Sequence, residues 1–148
     1  MMFLLMRHGE AEYPISSDFD RRLTDSGRAE VRQVSERLAD RNIEIERVVV
    51  SPYTRARETA EIVRQSLSLP EAEISEGITP DRSPAEAVAA LDGLRQNCEC
   101  FLAVMHQPII SRLILYLTGV DQPMATSNVA VLETEVVERG CCELICVL

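Results

Sequence analysis

Three short apolar runs, each stopping abruptly at polar residues, constrain this chain more than any other feature. FLLM at 3–6 ends at Arg7-His8-Gly9, RVVV at 47–50 ends at Ser51-Pro52, and CFLAVM at 100–105 ends at His106-Gln107-Pro108. Runs this short and aliphatic fit strands buried on both faces, as in the parallel sheet of an α/β protein. Helix-period segments separate them. Thr24 can cap a helix carrying Val31, Val34 and Leu38 on one face. Ser51 as N-cap and Pro52 as first helical residue predict a second helix with Ala56, Ala60, Val63 and Leu67 inward. Ala72 to Ser75 reads as a weak extended segment. Ser83 to Glu86 is a capping box opening a helix with Val88, Leu91 and Leu94 inward. After Pro108 the chain restarts as a helix bearing Ile110, Leu113, Ile114 and Leu117, and VAVLETEVV and CCELICVL flank Glu138-Arg139-Gly140 as a hairpin. The expected architecture is three-layer α/β/α, with a mostly parallel central sheet and a C-terminal antiparallel hairpin.

The 148 residues are read as one domain, 1–148, without repeats, low-complexity tracts or linkers. A formal charge of −9 argues against a general nucleic-acid binder, which needs surplus basic side chains for the phosphate backbone. Any anion site is therefore a local basic cluster working against the overall field. All 15 basic residues are Arg; we read this as compositional bias and use their positions, not their number. Cys98, Cys100, Cys141, Cys142 and Cys146 follow no standard zinc spacing and are read as small buried thiols in a reducing compartment. The first apolar run is too short to span a membrane, and no basic residue precedes it as in a signal peptide, so a cytoplasmic protein is expected.

The polar ends of the three runs all fall at carboxyl ends of predicted strands, the edge where open α/β sheets bind ligands. The chain has only two histidines, His8 and His106, and both lie there. A histidine at a strand end is commonly structural. Two histidines could also hold zinc, with Glu10, Glu12, Asp18 or Asp20 as further ligands. Arg7 would then place a fixed cation beside the metal, and no His-x3-His pair exists. Nucleophilic attack on phosphorus fits better. Neutral imidazole attacks through one ring nitrogen while the other is held as a donor, and nearby guanidinium groups disfavour the imidazolium form. Gly9 would let the chain turn and keep a side chain out of the phosphate's path.

These residues carry a resemblance. LMRHGEAE, VSPYTRARETAE and AVMHQP resemble, in order, the signatures of the histidine phosphatase superfamily, also called phosphoglycerate mutase-like. The short length, with DFDRRLTDSG and IERVVVSP, is similar to its small SixA-type phosphohistidine phosphatases. The resemblance implies a phosphoglycerate mutase-like fold and metal-independent hydrolysis through a covalent phosphohistidine on His8. Arg7 and Arg55 would clamp the phosphoryl oxygens, His106 would donate to them, and Gly9 would lie against the substrate. Arg21 matches an arginine that small members place in the first loop, with Arg22 as competitor. Ser51 and Thr59 are read as structural, and Arg57 as a solvated helix residue. Met105 departs from the small polar residue that many relatives carry beside the second histidine.

The general acid is the weak part of the match. Glu76 and Asp81 stand in the region where larger members place it, but in no convincing motif, and neither Glu10 nor Glu12 is assigned the role. Without an acid the substrate needs a leaving group that departs with little protonation, as phosphohistidine has. The expected partner is a phosphohistidine-containing protein such as a phosphorelay domain, with no cofactor, metal, nucleic acid or membrane; the sequence does not set the oligomeric state, and a monomer is compatible with it. The alternative is a small-molecule phosphomonoesterase, acting on a sugar or nucleotide phosphate at the same His/Arg site.

Overall fold

The computed structural model describes residues 1–14, 16–94 and 97–148. Along the chain run β1 (Met2–Arg7), α1 (Asp25–Asp40), β2 (Arg47–Val50), α2 (Thr54–Leu67), β3 (Ala72–Ile74), a 3-10 turn (Glu76–Ile78), α3 (Pro84–Leu94), β4 (Cys100–Met105), α4 (Ile109–Thr118), β5 (Val129–Glu133) and β6 (Glu143–Val147). The sheet order is β3-β2-β4-β1-β5-β6. β3, β2, β4 and β1 pair in parallel, while β5 pairs antiparallel to β1 and β6 antiparallel to β5.

Alternation along the central strands divides the core into two layers. Phe3, Leu5, Ala103 and Met105 face the cluster that includes α3 and α4, whereas Leu4, Met6, Leu102 and Val104 face the one built on α1 and α2. Each fully buried Leu or Phe contributes roughly 1.5–3 kcal/mol by leaving water. This is the reason the three apolar runs lack polar alternation.

Local signals held in most places. Thr24 caps α1, its Oγ1 accepting from the Gly27 N–H at 2.9 Å. Ser83 and Glu86 exchange the two bonds of a capping box, at 2.8 and 3.2 Å. Three expectations need correction. Helix α2 begins at Thr54, and its cap, Tyr53, makes no side-chain capping bond, so Ser51-Pro52 does not start it. On α3, Ala87 and Leu91 are the buried residues, while Val88 and Leu94 only border the core. The hairpin is real, but β5 stops at Glu133, because Thr134 Oγ1 bonds the carbonyls of Val136 and Cys141 and bends the chain out of the ladder.

All five cysteines are free, and Cys98, Cys100 and Cys142 are buried; Cys141 is exposed and Cys146 half-buried, contrary to a uniformly buried set. Among the described residues no helix is long and apolar enough to cross a membrane.

The long loop after β1 is stitched rather than free. Glu10 accepts from the Thr24 N–H and hydroxyl, and Ala11 bridges to Leu23. It packs so closely on α1 that a Cβ on Gly27 would stand 2.2 Å from the Glu10 carbonyl oxygen. Gly27→Ala is therefore expected to destabilise the protein by about 1–3 kcal/mol through overpacking. A thermal melt with an unchanged midpoint would contradict that packing.

Candidate active site

Strand β4 lies between β1 and β2, so the residues just past their carboxyl ends meet: His8 on one side, His106 in the middle, Ser51 on the other. The two imidazole rings are 5.2 Å apart, centroid to centroid. His8 is held from three directions. Its N–H donates to the Met105 carbonyl, its carbonyl accepts from the Ser127 N–H, and its ring Nδ1 donates to the Gly9 carbonyl at 2.7 Å. Since that carbonyl can only accept, Nδ1 carries the proton and Nε2 keeps its lone pair. Arg55 Nε donates to this Nε2 at 3.2 Å.

The His8 imidazole is pushed down to about 4, first by burial, with the charges of Arg55, Arg7 and Arg21 adding to it against the Gly9 hydrogen bond. Desolvation thus exceeds the guanidinium effect that the residue pattern suggested. His106 is lowered too, again chiefly by burial and then by His8 and Arg55. A histidine-ring NMR titration reads both groups in a chain with only two histidines. His8 is expected to titrate near 4, facing Arg7, Arg21, Arg55 and His106, rather than at the ordinary 6.5. As pH falls from 6.5 toward 4 the unfolded chain takes up protons that the folded one refuses, so stability falls through that window. A His8 midpoint above 6 would contradict both statements.

His106 is fully buried, with Nε2 2.6 Å from Ser51 Oγ. Ser51 Oγ also accepts from the Tyr53 N–H at 3.4 Å, and among the described residues its buried hydroxyl has no acceptor but Nε2, so the tautomer that leaves fewest buried groups unpaired has the hydroxyl donating to Nε2 and the His106 proton on Nδ1. Among the described residues that Nδ1 has no partner, nor do Arg7 Nε and Ser127 Oγ, and all three are buried. Ser51 therefore orients the second histidine instead of capping α2.

Gly9 is needed for a further reason, one that the sequence does not show. Its backbone is not left-handed, and a Cβ there would stand 2.8 Å from Val31 Cγ2 and 3.0 Å from the Gly27 carbonyl. Its N–H is committed to Thr59 Oγ1 at 3.0 Å, and Thr59 in turn donates to the Arg55 carbonyl. Thr59 thus ties the turn after His8 to the helix that carries Arg55.

Arg7 Nη1 donates to the Met124 carbonyl at 2.9 Å. Arg55 is 4% exposed and is bound through Nη1 to the Asp18 carbonyl and through Nη2 to Asp18 Oδ2, at 2.7 and 3.2 Å. Arg21 reaches the other oxygen of the same carboxylate at 3.0 Å. Burial works to raise the Asp18 carboxyl, but the hydrogen bonds and charges of Arg21 and Arg55 outweigh it and hold it low. Arg22 points elsewhere, into a groove between α1 and α2. Tyr53 packs on His106 at 4.9 Å and on Phe19 at 5.0 Å, with the Arg55 guanidinium over its ring.

Tyr53 and Ser127 escaped sequence reasoning as members of this cluster, and Asp18 entered it only as one of four possible zinc ligands, not as a partner of the arginines. Tyr53 sits inside SPYTR and Asp18 inside DFDRR, so adjacency to the motifs was the available signal. Glu76 opens the 3-10 turn, with its carbonyl accepting from Arg82 Nε, and the Asp81 carboxylate accepts from Thr79 Oγ1. Among the described residues neither forms a hydrogen bond or ion pair with the histidines or arginines of the cluster, and no group of three or more His, Cys, Asp or Glu could hold a metal ion.

Comparison with known proteins agrees with this geometry. Residues 3–79 match the family model of the histidine phosphatase superfamily (branch 1). Phosphohistidine phosphatase SixA of Escherichia coli (strain K12) is 36% identical over 131 residues, covering 86% of this chain and 81% of that protein. The SixA homolog of Haemophilus influenzae is 33% identical over 134 residues, covering 84% and 82%. The structure of the protein histidine phosphatase SixA complexed with tungstate superposes with a TM-score of 0.92 at 32% identity, over 100% of this chain and 96% of that one. The expected phosphoglycerate mutase-like α/β architecture is the one observed. By family model, relatives and fold together, this chain belongs to the histidine phosphatase superfamily, branch 1.

Proposed function

We propose that this protein hydrolyses phosphohistidine on another protein, in two steps and without a metal, with His8 as nucleophile. The observation that carries the reading is the pairing of a neutral His8, its Nε2 lone pair free of a proton, with two buried donors that have no partner among the described residues, Arg7 Nε and His106 Nδ1. Both donors suit the oxygens of a phosphoryl group. The likeness to relatives named for phosphohistidine, one of them complexed with tungstate, supports the substrate class.

In the first step His8 Nε2 forms a bond to phosphorus as the P–N bond of the substrate breaks. The electron pair of that bond stays on the departing imidazole, which leaves as a neutral ring when its other nitrogen is protonated. The Gly9 carbonyl stabilises the cationic ring of phosphorylated His8 through Nδ1–H. Water then attacks phosphorus, the P–Nε2 bond breaks, the pair returns to His8, and inorganic phosphate leaves with both protons of the water. Arg7, Arg21, Arg55 and His106 bear the charge on the phosphoryl oxygens throughout. Gly9 acts by fixing the nucleophile's tautomer, not by touching substrate. An imidazole leaving group makes a carboxylic acid dispensable, and Glu76 and Asp81 are assigned no part.

The test compares a phosphohistidine-bearing phosphorelay domain with a panel of sugar and nucleotide phosphomonoesters, with and without excess chelator. Preference for the phosphoprotein at full activity in chelator is expected. Preference for the monoesters overturns the substrate assignment and leaves the nucleophile standing; activity lost to chelator and restored by metal overturns metal independence.

Asp18 competes with the phosphoryl group for Arg55 and Arg21, because one carboxylate engages both guanidinium groups. A half-exposed ion pair of this kind stabilises by about 1 kcal/mol or less. Asp18→Asn is therefore expected to lower the inhibition constant of inorganic phosphate by about fivefold. An unchanged or raised constant would mean that Asp18 instead holds the arginines in their productive positions.

A further inference from the structure

A second basic region begins at the rim of this cluster. A groove of about 690 Å³ opens between α1, α2 and the edge strand β3. Its floor is apolar, formed by Val50, Ile62 and Ile74, and Ile74 is 57% exposed. Its walls carry five arginines against three glutamates, a local balance of +2 in a chain of net charge −9. Two glutamates are already neutralised, Glu58 by Arg28 and Glu61 by Arg64. Arg22, Arg32 and Arg57 are exposed and, among the described residues, have no carboxylate partner.

The groove is continuous with the site in the chain itself. Val50 precedes Ser51, Arg22 follows Arg21, and Thr54, which also lines the groove, precedes Arg55. Arg55 of the cluster and Arg57 of the groove share the first turn of α2, so a macromolecule whose phosphorylated side chain reaches His8 and Arg55 has the near end of the groove beside it. We propose that the groove is the docking site for an acidic segment of the phosphohistidine-bearing substrate protein, its carboxylates on Arg22, Arg32 and Arg57 and an apolar side chain against Ile74. The proposal rests on the substrate reading given above. Three guanidinium groups suit carboxylates bidentately. On a chain otherwise negative they draw an acidic partner to the one face where the chemistry is, and rim charges of this kind govern encounter and salt dependence.

The test measures kcat/KM for the double variant Arg32→Glu/Arg57→Glu on two substrates, an acidic phosphorelay domain phosphorylated on histidine and free phosphohistidine. The variant is expected to lose about 10- to 100-fold on the phosphoprotein, mostly in KM, with a weaker dependence on ionic strength, and to keep its rate on free phosphohistidine. The neutral pair Arg32→Gln/Arg57→Gln should lose less. Equal activity of wild type and variant on the phosphoprotein overturns the groove alone. A parallel loss on both substrates overturns it as well, because the arginines would then act on the site rather than on a docked protein. A wild-type protein inactive on the phosphoprotein overturns the substrate reading and, with it, the occupant. Concentration-dependent self-association lost in the variant, with both activities unmoved, assigns the groove to a second copy of this chain and overturns the proposal.

Discussion

His8→Ala is expected to abolish phosphoenzyme formation and to reduce kcat/KM by at least about 10⁴-fold, as removal of a covalent nucleophile does. In the wild-type protein a phospho-donor should leave an acid-labile, alkali-stable label, the signature of a phosphorus–nitrogen bond. The variant should carry none. Labelling that persists unchanged in His8→Ala would remove His8 from the mechanism. A second readout keeps folding separate from chemistry. His8 is buried and resists protonation down to about 4, so it weakens the folded state in acid. The variant lacks that penalty, and its stability relative to wild type should improve as pH falls from 6.5 toward 4.

Arg55→Ala should rank next, with a loss of about 10²–10³-fold in kcat, the range seen when one preorganised donor to a developing charge is removed. Arg55 has three engagements: its Nε with His8 Nε2, and its two terminal nitrogens with Asp18. Its charge also helps to lower the His8 imidazole, so the His8 titration midpoint should rise in the variant. Arg55→Lys should restore little, because one ammonium cannot span His8 and both Asp18 acceptors. An unmoved His8 midpoint together with near-normal kcat would show that Arg55 serves packing alone.

What was legible in the sequence was whatever short-range chemistry encodes. FLLM, RVVV and CFLAVM read as buried strands by their length, their β-branched and aliphatic content and the polar residues that end them. Thr24 and Ser83 marked helix starts because capping is local, and Arg7-His8 and His106 declared a site because both histidines close such strands. What local reading missed has one cause. Ser51-Pro52 looks like a helix start by the same local rules, but Ser51 is drawn to His106, 55 residues away in the chain. Gly9 looks like a residue cleared for a ligand, and what the sequence does not show is that Val31 and Gly27 on α1 also exclude a side chain there.

The sequence by itself determined the strands, the mostly parallel α/β class and which residues are candidates for the site, since burial periodicity and residue chemistry are properties of neighbours in the chain. Only the tertiary structure decided how those groups work together. Placing β4 between β1 and β2 sets His106 beside His8 and Ser51 and so selects its tautomer. Folding the first loop over α2 brings Asp18 onto Arg55 and Arg21. Burying His8 lowers its proton affinity more than its charged neighbours do. Each of these depends on strand order and desolvation, which no stretch of neighbouring residues contains.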